Sequence, residues 1–593
     1  MSDADEKLAL IRAALKQSRI DAYVIPLSDP HLGENIPDHW KIIPWLTGFT
    51  GSAATVVVTH SFAGLWTDSR YFLQAGTELE NSGFTLVRPG SQAPWDYSDW
   101  LADNINHNGR VGFDGRIISV KDYRKLKKRL SIKNIDILTD CDLLSGIWKE
   151  RPPMPLSQVW DFPAGFAGKE RSLKITALRE EMKKRGIGRH LLTSVDDIMW
   201  LLNIRGNDFP YSPLCISYAL AEETRFYFFT DKRKIPSNLA SEFDRVGVEV
   251  LPYEEVYAII SSLSDGKSIL INPSATSVSL YNYIPAGISI VEDISIPSVM
   301  KSVKNKTEIE NIGKVMVKDG VALTKFFWWL EQNSCAMPLT ELSLSLMLEK
   351  FRSQQEEYIG PSFSPIVACN EHAALPHYSA AYGGDSAIPE NSIVLVDSGG
   401  HYMGGTTDIT RTISTGNPSY KQKKDFTLVL KGHIALAKAK FPHGTRGCQI
   451  DMLARQALWD NGYNYGHGTG HGVGYCLNVH EGPQSISPAE NRTLLEAGML
   501  ISNEPALYRE GEYGIRTENL VLCYLDEETE FGEFLKFDTV SLCYIDKSLI
   551  DRSLLTKDEI NWINNYHSEV FEKLSPFLDE EEKKWLKEKT EAI

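Results

Sequence analysis

The stretch His467–Pro483, HGTGHGVGYCLNVHEGP, places three histidines among closely spaced glycines. His467 and His471 have the spacing of a helical metal pair, but the glycines around them disfavour a helix, so looped or extended backbone is predicted. His480 is followed by Glu481 without the second histidine of H-E-x-x-H, which excludes the helical zinc-protease motif. The glycine run also lacks the G-x-G-x-x-G pattern of a dinucleotide site.

These glycines predict a segment whose backbone approaches a ligand closely while the imidazoles project into the same space. A single histidine is more often structural. Imidazole is, however, the commonest metal ligand and the usual proton carrier near neutral pH. Three histidines in one short segment of a chain that has 14 in 593 residues therefore indicate a functional site.

The composition is that of a globular protein with several domains. A chain of 593 residues with 42% hydrophobic residues is too long for a single core. Its formal net charge of −16 would repel nucleic acid and anionic membranes, so neither is expected as a partner. No apolar run reaches the ~18 residues that span a bilayer, and no apolar signal core is present, so a cytoplasmic location is expected. The eight cysteines are scattered singly, which argues against a disulfide framework.

The first part of the chain alternates helical and strand patterns. A charged amphipathic helix pattern opens it, and Asp21–Pro26 and Thr55–Thr59 follow as predicted strands. A proline-rich stretch ending at Pro155 then marks a linker. Residues 1–155 are therefore predicted to form an α/β domain.

Residues 156–303 repeat that pattern. A helix is predicted over Leu173–Arg185, with Gly186 as its stop signal, and Arg225–Asp231 is predicted as a strand. We interpret this as a weak internal duplication that gives two related α/β domains in tandem. Two unrelated α/β domains are the alternative, because alternation of helices and strands is common.

A third domain is predicted to begin at residue 304. Thr307 and Glu310 fit a capping box that opens a long helix, through about Gln332. A second helix is expected over Thr340–Gln355. The remaining candidate site residues follow these helices in the chain.

Four acidic residues accompany strand patterns in this domain. Asp397 ends a buried-strand run and Asp408 lies in the alternating segment that follows, so a hairpin is expected to bring the two carboxylates together. Glu504 lies in a later strand pattern and Glu518 in its expected partner strand. Taken singly, each acid could be a turn or surface residue. The apolar runs before Asp397 and Glu504 argue against this, because an acid that ends a buried strand needs a partner.

These four carboxylates and His471 would form a site of about −4 charge, in which each acid raises the pKa of the others. Two divalent cations would cancel that charge. Carboxylate-rich ligation with one imidazole suits Mn²⁺, Co²⁺ or Fe²⁺ better than a thiolate-type zinc site does. Two metals ~3.5 to 4 Å apart can share a water and hold it as hydroxide near neutral pH.

These residues resemble a known family, the pita-bread metallopeptidases, which includes aminopeptidase P, prolidase and methionine aminopeptidase. Its five metal ligands are matched in order and spacing by Asp397 and Asp408 with ten residues between them, His471 in HGTGH, Glu504 in NEP and Glu518 in RTE. LPHYS around His377 and VHEGP around His480 resemble the accessory histidines of aminopeptidase P. GFTGSAATVVV and LWTDSRYFLQA resemble its first domain, and TKDEINWINNYH resembles the carboxy-terminal extension of its long, three-domain cytosolic form.

The resemblance implies an α/β (α+β) architecture. Two tandem creatinase-N-like α/β domains would cover residues 1–155 and 156–303. A pita-bread catalytic domain, whose curved antiparallel sheet cradles the metals, would cover 304–530. A helical C-terminal extension of that domain would cover 531–593.

The resemblance also implies hydrolysis of an N-terminal Xaa-Pro bond by a hydroxide that bridges two metals, most often Mn²⁺, with Co²⁺, Fe²⁺ and Zn²⁺ as other candidates. The metal ligands would be Asp397, Asp408, His471, Glu504 and Glu518, with Asp408 and Glu518 as the bridging ligands. Glu504 would accept and donate the proton, while His377 and His480 would hold the substrate and stabilise the oxyanion. His467, Tyr508 and Arg516 would line the substrate pocket. For these three, packing or a salt bridge to a ligand carboxylate is the alternative.

Three functions remain open at this point. Cleavage of peptides with proline in second place is favoured, because the two additional α/β domains and the C-terminal extension fit aminopeptidase P. A prolidase-type Xaa-Pro dipeptidase is the first alternative. A non-catalytic peptide-binding relative is the second, and the intact ligand set argues against it because unpaired acids are costly in a buried site. A homodimer is expected, as is usual in the family.

Overall fold

The computed structural model describes residues 3–88, 96–334, 338–380 and 385–593. It divides into two compact units. One contains Met1–Phe162 and Lys169–Pro297, and the other contains Pro163–Gly168 and Ser298–Ile593.

Within the described residues, the amino-terminal domain has a six-stranded sheet with helices around it. Its strands β1 to β6 are Ala22–Pro26, Thr55–Thr59, Ala63–Trp66, Thr85–Val87, Arg110–Gly112 and Asp136–Leu138. Its helices α1 to α5 are Asp3–Ser18, Ile42–Thr47, Phe72–Glu78, Tyr97–Asn104 and Val120–Leu130.

The next stretch of chain has a second six-stranded sheet and a short separate pair of strands, β7 and β9. Strands β7 to β14 are Trp160–Asp161, Arg189–Leu192, Ile204–Arg205, Tyr218–Glu222, Phe226–Phe229, Val248–Leu251, Ile269–Ile271 and Ile290–Glu292. Helices α6 to α12 are Ala164–Ala167, Arg171–Lys184, Val195–Leu202, Ser237–Val246, Glu255–Ser261, Val278–Asn282 and Ile296–Ser302.

The two sheets have the same topology. Their strand orders are β4-β3-β2-β1-β5-β6 and β12-β11-β10-β8-β13-β14. In each, the first strand pairs antiparallel with the second and parallel with the fifth. The predicted internal duplication into two related α/β domains is therefore confirmed.

Strand β1 is an example of a central strand that consists of continuous apolar residues. Ala22 and Val24 pack into one hydrophobic cluster, whereas Tyr23 and Ile25 pack into another. Successive side chains of a strand point to opposite faces, so this sheet is buried on both sides. A strand covered on both faces shows no polar alternation.

The remaining chain forms the third domain and the C-terminal extension. Its strands β15 to β28 are Tyr358–Pro361, Ile366–Cys369, Ile393–Ser398, Gly400–Tyr402, Gly405–Thr406, Ile409–Ser414, Lys440–Pro442, Gly470–His471, Ser485–Ile486, Leu500–Asn503, Ala506–Arg509, Tyr513–Arg516, Asn519–Thr529 and Gly532–Thr539. Its helices α13 to α18 are Lys306–Asn333, Glu341–Ser353, Tyr420–Ala437, Gly447–Trp459, Lys557–Leu574 and Glu580–Lys589.

The long helix α13 is present as expected, but the predicted capping box at Thr307 and Glu310 is wrong. The N-cap residue is Asn305, whose Oδ1 accepts the Glu308 N–H at 3.1 Å while the Glu308 carboxylate accepts the Asn305 N–H at 2.8 Å. Thr307 already lies inside the helix. Asparagine is among the most favoured N-cap residues, and the N-x-x-E spacing two residues earlier fits the same motif.

The C-terminal extension is helical, as expected, and contributes to the core of the third domain. Ile563 and Val570 of α17 and Leu586 of α18 belong to the same buried cluster as Phe326 of α13 and Val394 of β17. Removing these helices would expose that shared core to water.

Two observations concern the described part of the chain as a whole. No helix there combines the length and the apolar character needed to cross a membrane. The seven cysteines of that part are free thiols, in agreement with the expectation of no disulfide framework, and Cys335 lies outside the described residues.

Candidate metal centre

The predicted hairpin that carries Asp397 and Asp408 is present. Strands β17 and β20 pair antiparallel, with Asp397 opposite Thr410, and Asp408 directly precedes β20. The chain between them forms the smaller β18–β19 pair. The hairpin therefore brings the carboxylates of Asp397, which is 8% exposed, and Asp408, which is 4% exposed, to the same end of a buried sheet.

Glu504 and Glu518 lie between strands rather than within them, which differs from the predicted continuous strands. Glu504 and Pro505 separate β24 from β25, and Thr517 and Glu518 separate β26 from β27. Because β24 pairs with β27 and β25 pairs with β26, the two breaks lie opposite each other. Pro505 follows Glu504 and cannot donate a ladder hydrogen bond. The backbone N–H groups at the two breaks donate to other segments of the chain. Glu504 N–H donates to Thr469 O at 2.8 Å, and Glu518 N–H donates to Thr410 O at 3.1 Å.

These two backbone hydrogen bonds determine where the four acids meet. Thr469 belongs to the glycine-rich segment of His471, and Thr410 belongs to the strand that follows Asp408. The interrupted strands therefore join the histidine segment on one side and the aspartate hairpin on the other.

The glycines around His471 have a different role from the predicted approach to a ligand. A Cβ at Gly470 would lie 2.0 Å from Ser502 O, and one at Gly472 would lie 2.1 Å from Glu481 O. Only glycine fits such close contacts between backbone segments. His471 N–H donates to Ser502 Oγ at 2.9 Å, and Nδ1 lies 3.0 Å from Gly472 O, so Nε2 faces the carboxylates.

The imidazole and the acids converge closely enough to hold a metal. His471 Nε2 lies 3.4 Å from Asp408 Oδ2 and 3.6 Å from Glu504 Oε1. Among the described residues, Asp408, His471 and Glu518 form a group whose ligand atoms all lie within 4.8 Å of one another. Asp397 Oδ1 is buried and has no hydrogen-bond partner there. A buried acceptor without a donor, beside oxygen ligands and one imidazole, fits a hard or borderline divalent cation.

The electrostatics agree with that fit. Burial raises the pKa of Asp408, Glu504 and Glu518 well above the usual range of carboxyl groups. The charge of a neighbouring carboxylate is the second cause in each case, from Asp397 for Asp408, from Glu518 for Glu504 and from Asp408 for Glu518. Positive charge added among these acids would favour their ionised forms.

Arg516, Tyr508 and His467 form a hydrogen-bonded chain beside the acids. The Arg516 guanidinium pairs with Asp397 Oδ2 and donates to Tyr508 OH at 2.7 Å. Tyr508 OH lies 2.9 Å from His467 Nε2, and burial raises the pKa of Tyr508 to about 12. His467 Nδ1 is 4.0 Å from Glu504 Oε2. The salt bridge that was the alternative for Arg516 is thus present.

Thr410 is a site residue that sequence reasoning missed. Its hydroxyl donates to Glu518 Oε2 at 2.6 Å and accepts from Arg516 Nε at 3.0 Å. It follows Asp408 by two positions at the start of a strand, so the alternation of side chains could have indicated that both face the same side.

The two accessory histidines lie in loops. The His480 ring is exposed and stands perpendicular to the His471 ring, with 4.3 Å between the ring centroids. His377 is half-buried and follows the 3₁₀ helix Asn370–Ala374. His480 therefore lies beside His471.

Comparison with known proteins decides the family. Residues 310–524 match metallopeptidase family M24, residues 7–143 and 150–308 each match the Creatinase/Prolidase N-terminal domain, and residues 533–593 match the C-terminal region of peptidase M24. The chain is 37% identical over 610 residues to Xaa-Pro aminopeptidase 1 of Dictyostelium discoideum, which covers 99% of this chain and 96% of the relative. The chain belongs to the Xaa-Pro aminopeptidase P family of M24 metallopeptidases.

A solved structure supports the same assignment over the full length. The X-prolyl aminopeptidase of Caenorhabditis elegans, described as a cytosolic enzyme with a di-nuclear active site, is 35% identical with a TM-score of 0.95 and covers 100% of both chains. An Xaa-Pro dipeptidase from Bacillus anthracis is 26% identical with a TM-score of 0.50 and covers 63% of this chain and 98% of its own. The predictions of an Xaa-Pro aminopeptidase P of the long form, of the fold class and of the enzyme class are confirmed.

Proposed function

We propose that the chain removes the first residue from peptides with proline in second place, and that Asp397, Asp408, His471, Glu504 and Glu518 hold two divalent metal ions for this reaction. The observation that carries the proposal is the convergence of Asp408, His471 and Glu518 within 4.8 Å, in a chain similar over its full length to Xaa-Pro aminopeptidases. Mn²⁺ is the proposed ion, because it suits oxygen-rich ligation with one imidazole.

Divalent ions bound at this site would supply a Lewis acid and a water of lowered pKa. Glu504 is the proposed proton acceptor and donor, because its carboxylate faces both His471 and the other acids. His377 and His480 are proposed to bind the substrate and donate to the developing oxyanion. The exposure of His480 beside His471 leaves its ring accessible to a peptide.

His467, Tyr508 and Arg516 are proposed to line the substrate pocket and to orient the acids. Their chain of hydrogen bonds runs from His467 through the Tyr508 hydroxyl to the guanidinium bonded to Asp397. An arginine held in this way limits the rotation of a ligand carboxylate, which preserves the geometry that metal binding needs.

The proposed substrate suits this site. An Xaa-Pro bond is a tertiary amide without an N–H, so enzymes that bind an extended backbone through that N–H accommodate it poorly. The free α-amino group of a peptide would be attracted to the acidic cluster, which restricts cleavage to the first bond.

Three further assignments are proposals of the same kind. We propose domain boundaries near residues 155, 303 and 530, in keeping with the family matches at 7–143, 150–308, 310–524 and 533–593. A cytoplasmic location is proposed because the C. elegans relative is described as cytosolic. A homodimer is proposed from the resemblance, and light scattering on the purified protein measures it directly.

Substrate length distinguishes the proposal from a dipeptidase. Similarity to the B. anthracis dipeptidase extends over 63% of this chain, whereas similarity to the C. elegans aminopeptidase extends over 100%. We expect release of the first residue from Xaa-Pro-Xaa tripeptides and longer peptides, measured by chromatography of the products. Strict preference for Xaa-Pro dipeptides would favour the alternative. Gly-Gly-Phe, which lacks proline in second place, is the matched control peptide and should not be cleaved.

A further inference from the structure

A buried carboxylate follows directly after His480. The side chain of Glu481 is 0% exposed. Its Oε2 lies 2.9 Å from Lys301 Nζ and its Oε1 lies 3.0 Å from Lys304 Nζ. Both lysine side chains are also buried, at 2% and 1% exposure, so one carboxylate is shared by two ammonium groups inside the protein. We name this arrangement the Lys301–Glu481–Lys304 triad.

The lysines of the triad are fixed to the strand that leads to Glu504. Lys304 N–H donates to Gly498 O at 2.9 Å, and Val303 forms a bridge with Met499, the residue before β24. The Lys304 ammonium also donates to Lys301 O at 3.0 Å. Hydrogen bonds and the bridge to Met499 therefore hold the backbone segment that carries the two lysines.

Glu481 also fixes the loop that carries both histidines. Its N–H donates to Gly472 O at 2.7 Å, next to His471. A Cβ at Gly474 would lie 2.9 Å from Glu481 Oε2, so glycine at that position makes room for the carboxylate. Glu481 is buried while the adjacent His480 is exposed, so the contacts of Glu481 hold the backbone from which the His480 side chain projects.

We propose that Glu481, held by Lys301 and Lys304, is a positioning residue that keeps His480 beside His471. A buried ion pair is strongly stabilising only in good geometry, and removal of one partner leaves charge that water cannot reach. The triad is thus a rigid anchor rather than a surface pair. The consequence for catalysis rests on the proposed role of His480, whereas the effect on the ring position does not.

A double-mutant cycle tests the action through His480. We expect Glu481→Gln to lower kcat ~10- to 100-fold, as for groups that orient active-site residues. In the His480→Ala background the same change should have little further effect, because the residue that it positions is absent. An equal loss in both backgrounds, or no loss in the wild-type background, would overturn the proposal.

A neutral variant separates positioning from stability. Replacing Lys301, Glu481 and Lys304 together by methionine removes all three charges, and such a change is often tolerated in a core. We expect a Tm near that of the wild type and a kcat that stays lowered. Full activity in this variant would contradict positioning by the triad. Asp208→Asn is the matched control, since it breaks the buried Lys234–Asp208 pair of the other compact unit and should lower Tm without changing kcat.

Chemical modification gives a readout that needs no activity. Diethyl pyrocarbonate modifies accessible histidines, and peptide mass spectrometry gives the rate at His480. We expect Glu481→Gln to change this rate at His480 while the rate at the exposed His443 stays the same. An unchanged rate at His480 would refute the anchor. If the wild type cleaves no Xaa-Pro peptide but the rate changes, the proposed function fails and the anchor stands.

Discussion

Arg516 is a buried cation that pairs with one of the proposed ligands, Asp397, and donates to Thr410 and Tyr508. Replacing it by methionine keeps much of its volume but removes the charge and all three bonds. We expect metal affinity to fall ~10- to 100-fold, because groups that orient metal ligands have effects of this size. Titration of metal-stripped protein with Mn²⁺ measures the change.

Two variants serve as controls for Arg516. Arg516→Lys keeps the charge but cannot reproduce the planar fork of donors, so it should restore only part of the affinity. Tyr508→Phe removes the hydrogen bonds of the hydroxyl with Arg516 and His467 but leaves the Arg516 pair with Asp397, so its effect on metal affinity should be smaller than that of Arg516→Met. Unaltered affinity in Arg516→Met would mean that the arginine does not support the site.

Gly472 is a second residue at which the structure makes a specific prediction. Alanine would place a Cβ 2.1 Å from Glu481 O, which is too close without a backbone shift. We expect Gly472→Ala to destabilise the fold by ~1 to 3 kcal/mol, as overpacking does, and to lower activity more than Gly466→Ala. Gly466 is the matched control because a Cβ there meets nothing within 4 Å. Equal Tm values for the two variants would contradict the close contact.

Much of the site could be predicted at the level of single residues. Asp397 lies in the first strand of a hairpin and Asp408 directly precedes the second strand. The apolar run before Asp397 is evident in the sequence, and the predicted hairpin is present. Thr410 was not predicted, because a threonine in a strand carries no chemical signal until its neighbours are known. The reason for glycine at Gly472 was also not predicted, since the backbone that it touches is brought there by the fold.

At the scale of elements, the start of helix α13 yields a direct test. Both Asn305 and Thr307 stand three residues before a glutamate, so the capping-box pattern alone could not choose between them. In the structure, Asn305 is the N-cap residue of α13. We expect Asn305→Ala to lower the free energy of unfolding by ~1 kcal/mol and Thr307→Ala to have a much smaller effect. Urea unfolding measures both, and a larger loss for Thr307→Ala would favour a capping box formed by Thr307 and Glu310.

The interrupted strands at Glu504 and Glu518 illustrate a limit of pattern reading. Their apolar residues predict the strands correctly, but the level of the break depends on hydrogen bonds to Thr469 and Thr410, which are distant in sequence. Pro505 was a local signal of the break, because proline removes a donor from a ladder. The displacement of both glutamates from the ladder frees their carboxylates to face the site.

At the scale of the whole molecule, four buried histidines make stability depend on pH. Burial lowers the pKa of His31 to about 4 and that of His190, His433 and His567 to about 3. In the unfolded chain these groups take up protons below ~6.5, whereas in the folded protein they stay neutral. The contribution of these four histidines to stability is therefore complete above pH ~6.5 and is lost as the pH falls, by up to ~1.4 kcal/mol per pH unit for each group. Buried carboxyl groups whose pKa is raised, such as Asp29, contribute with the opposite sign. Urea midpoints between pH 7 and pH 5 check this.

His190 provides the matched variant for that dependence. Among the described residues neither of its ring nitrogens has a hydrogen-bond partner, and the ring is 0% exposed. His190→Leu removes both a buried unsatisfied polar group and a group that titrates on unfolding. We expect a higher urea midpoint at pH 5 and a shallower loss between pH 7 and pH 5. The same pH slope as in the wild type would contradict the assignment.

The order of domains could be predicted from sequence, but the strand order within them could not. Alternating helices and strands indicated two related α/β domains, and both sheets have that character. The placement of the first strand between the second and the fifth requires pairings between residues far apart in the chain. Local patterns contain no information about such pairings.

Release of the first residue from Arg-Pro-Pro by metal-stripped protein, before and after addition of Mn²⁺, is the most direct test of the central claim. The Glu504→Ala variant is assayed in parallel. We predict that activity is absent without metal, returns with Mn²⁺ and stays absent in the variant. Failure of Mn²⁺, Co²⁺, Fe²⁺ and Zn²⁺ to restore activity to the wild type, or full activity of Glu504→Ala, would contradict the proposed metal-dependent cleavage.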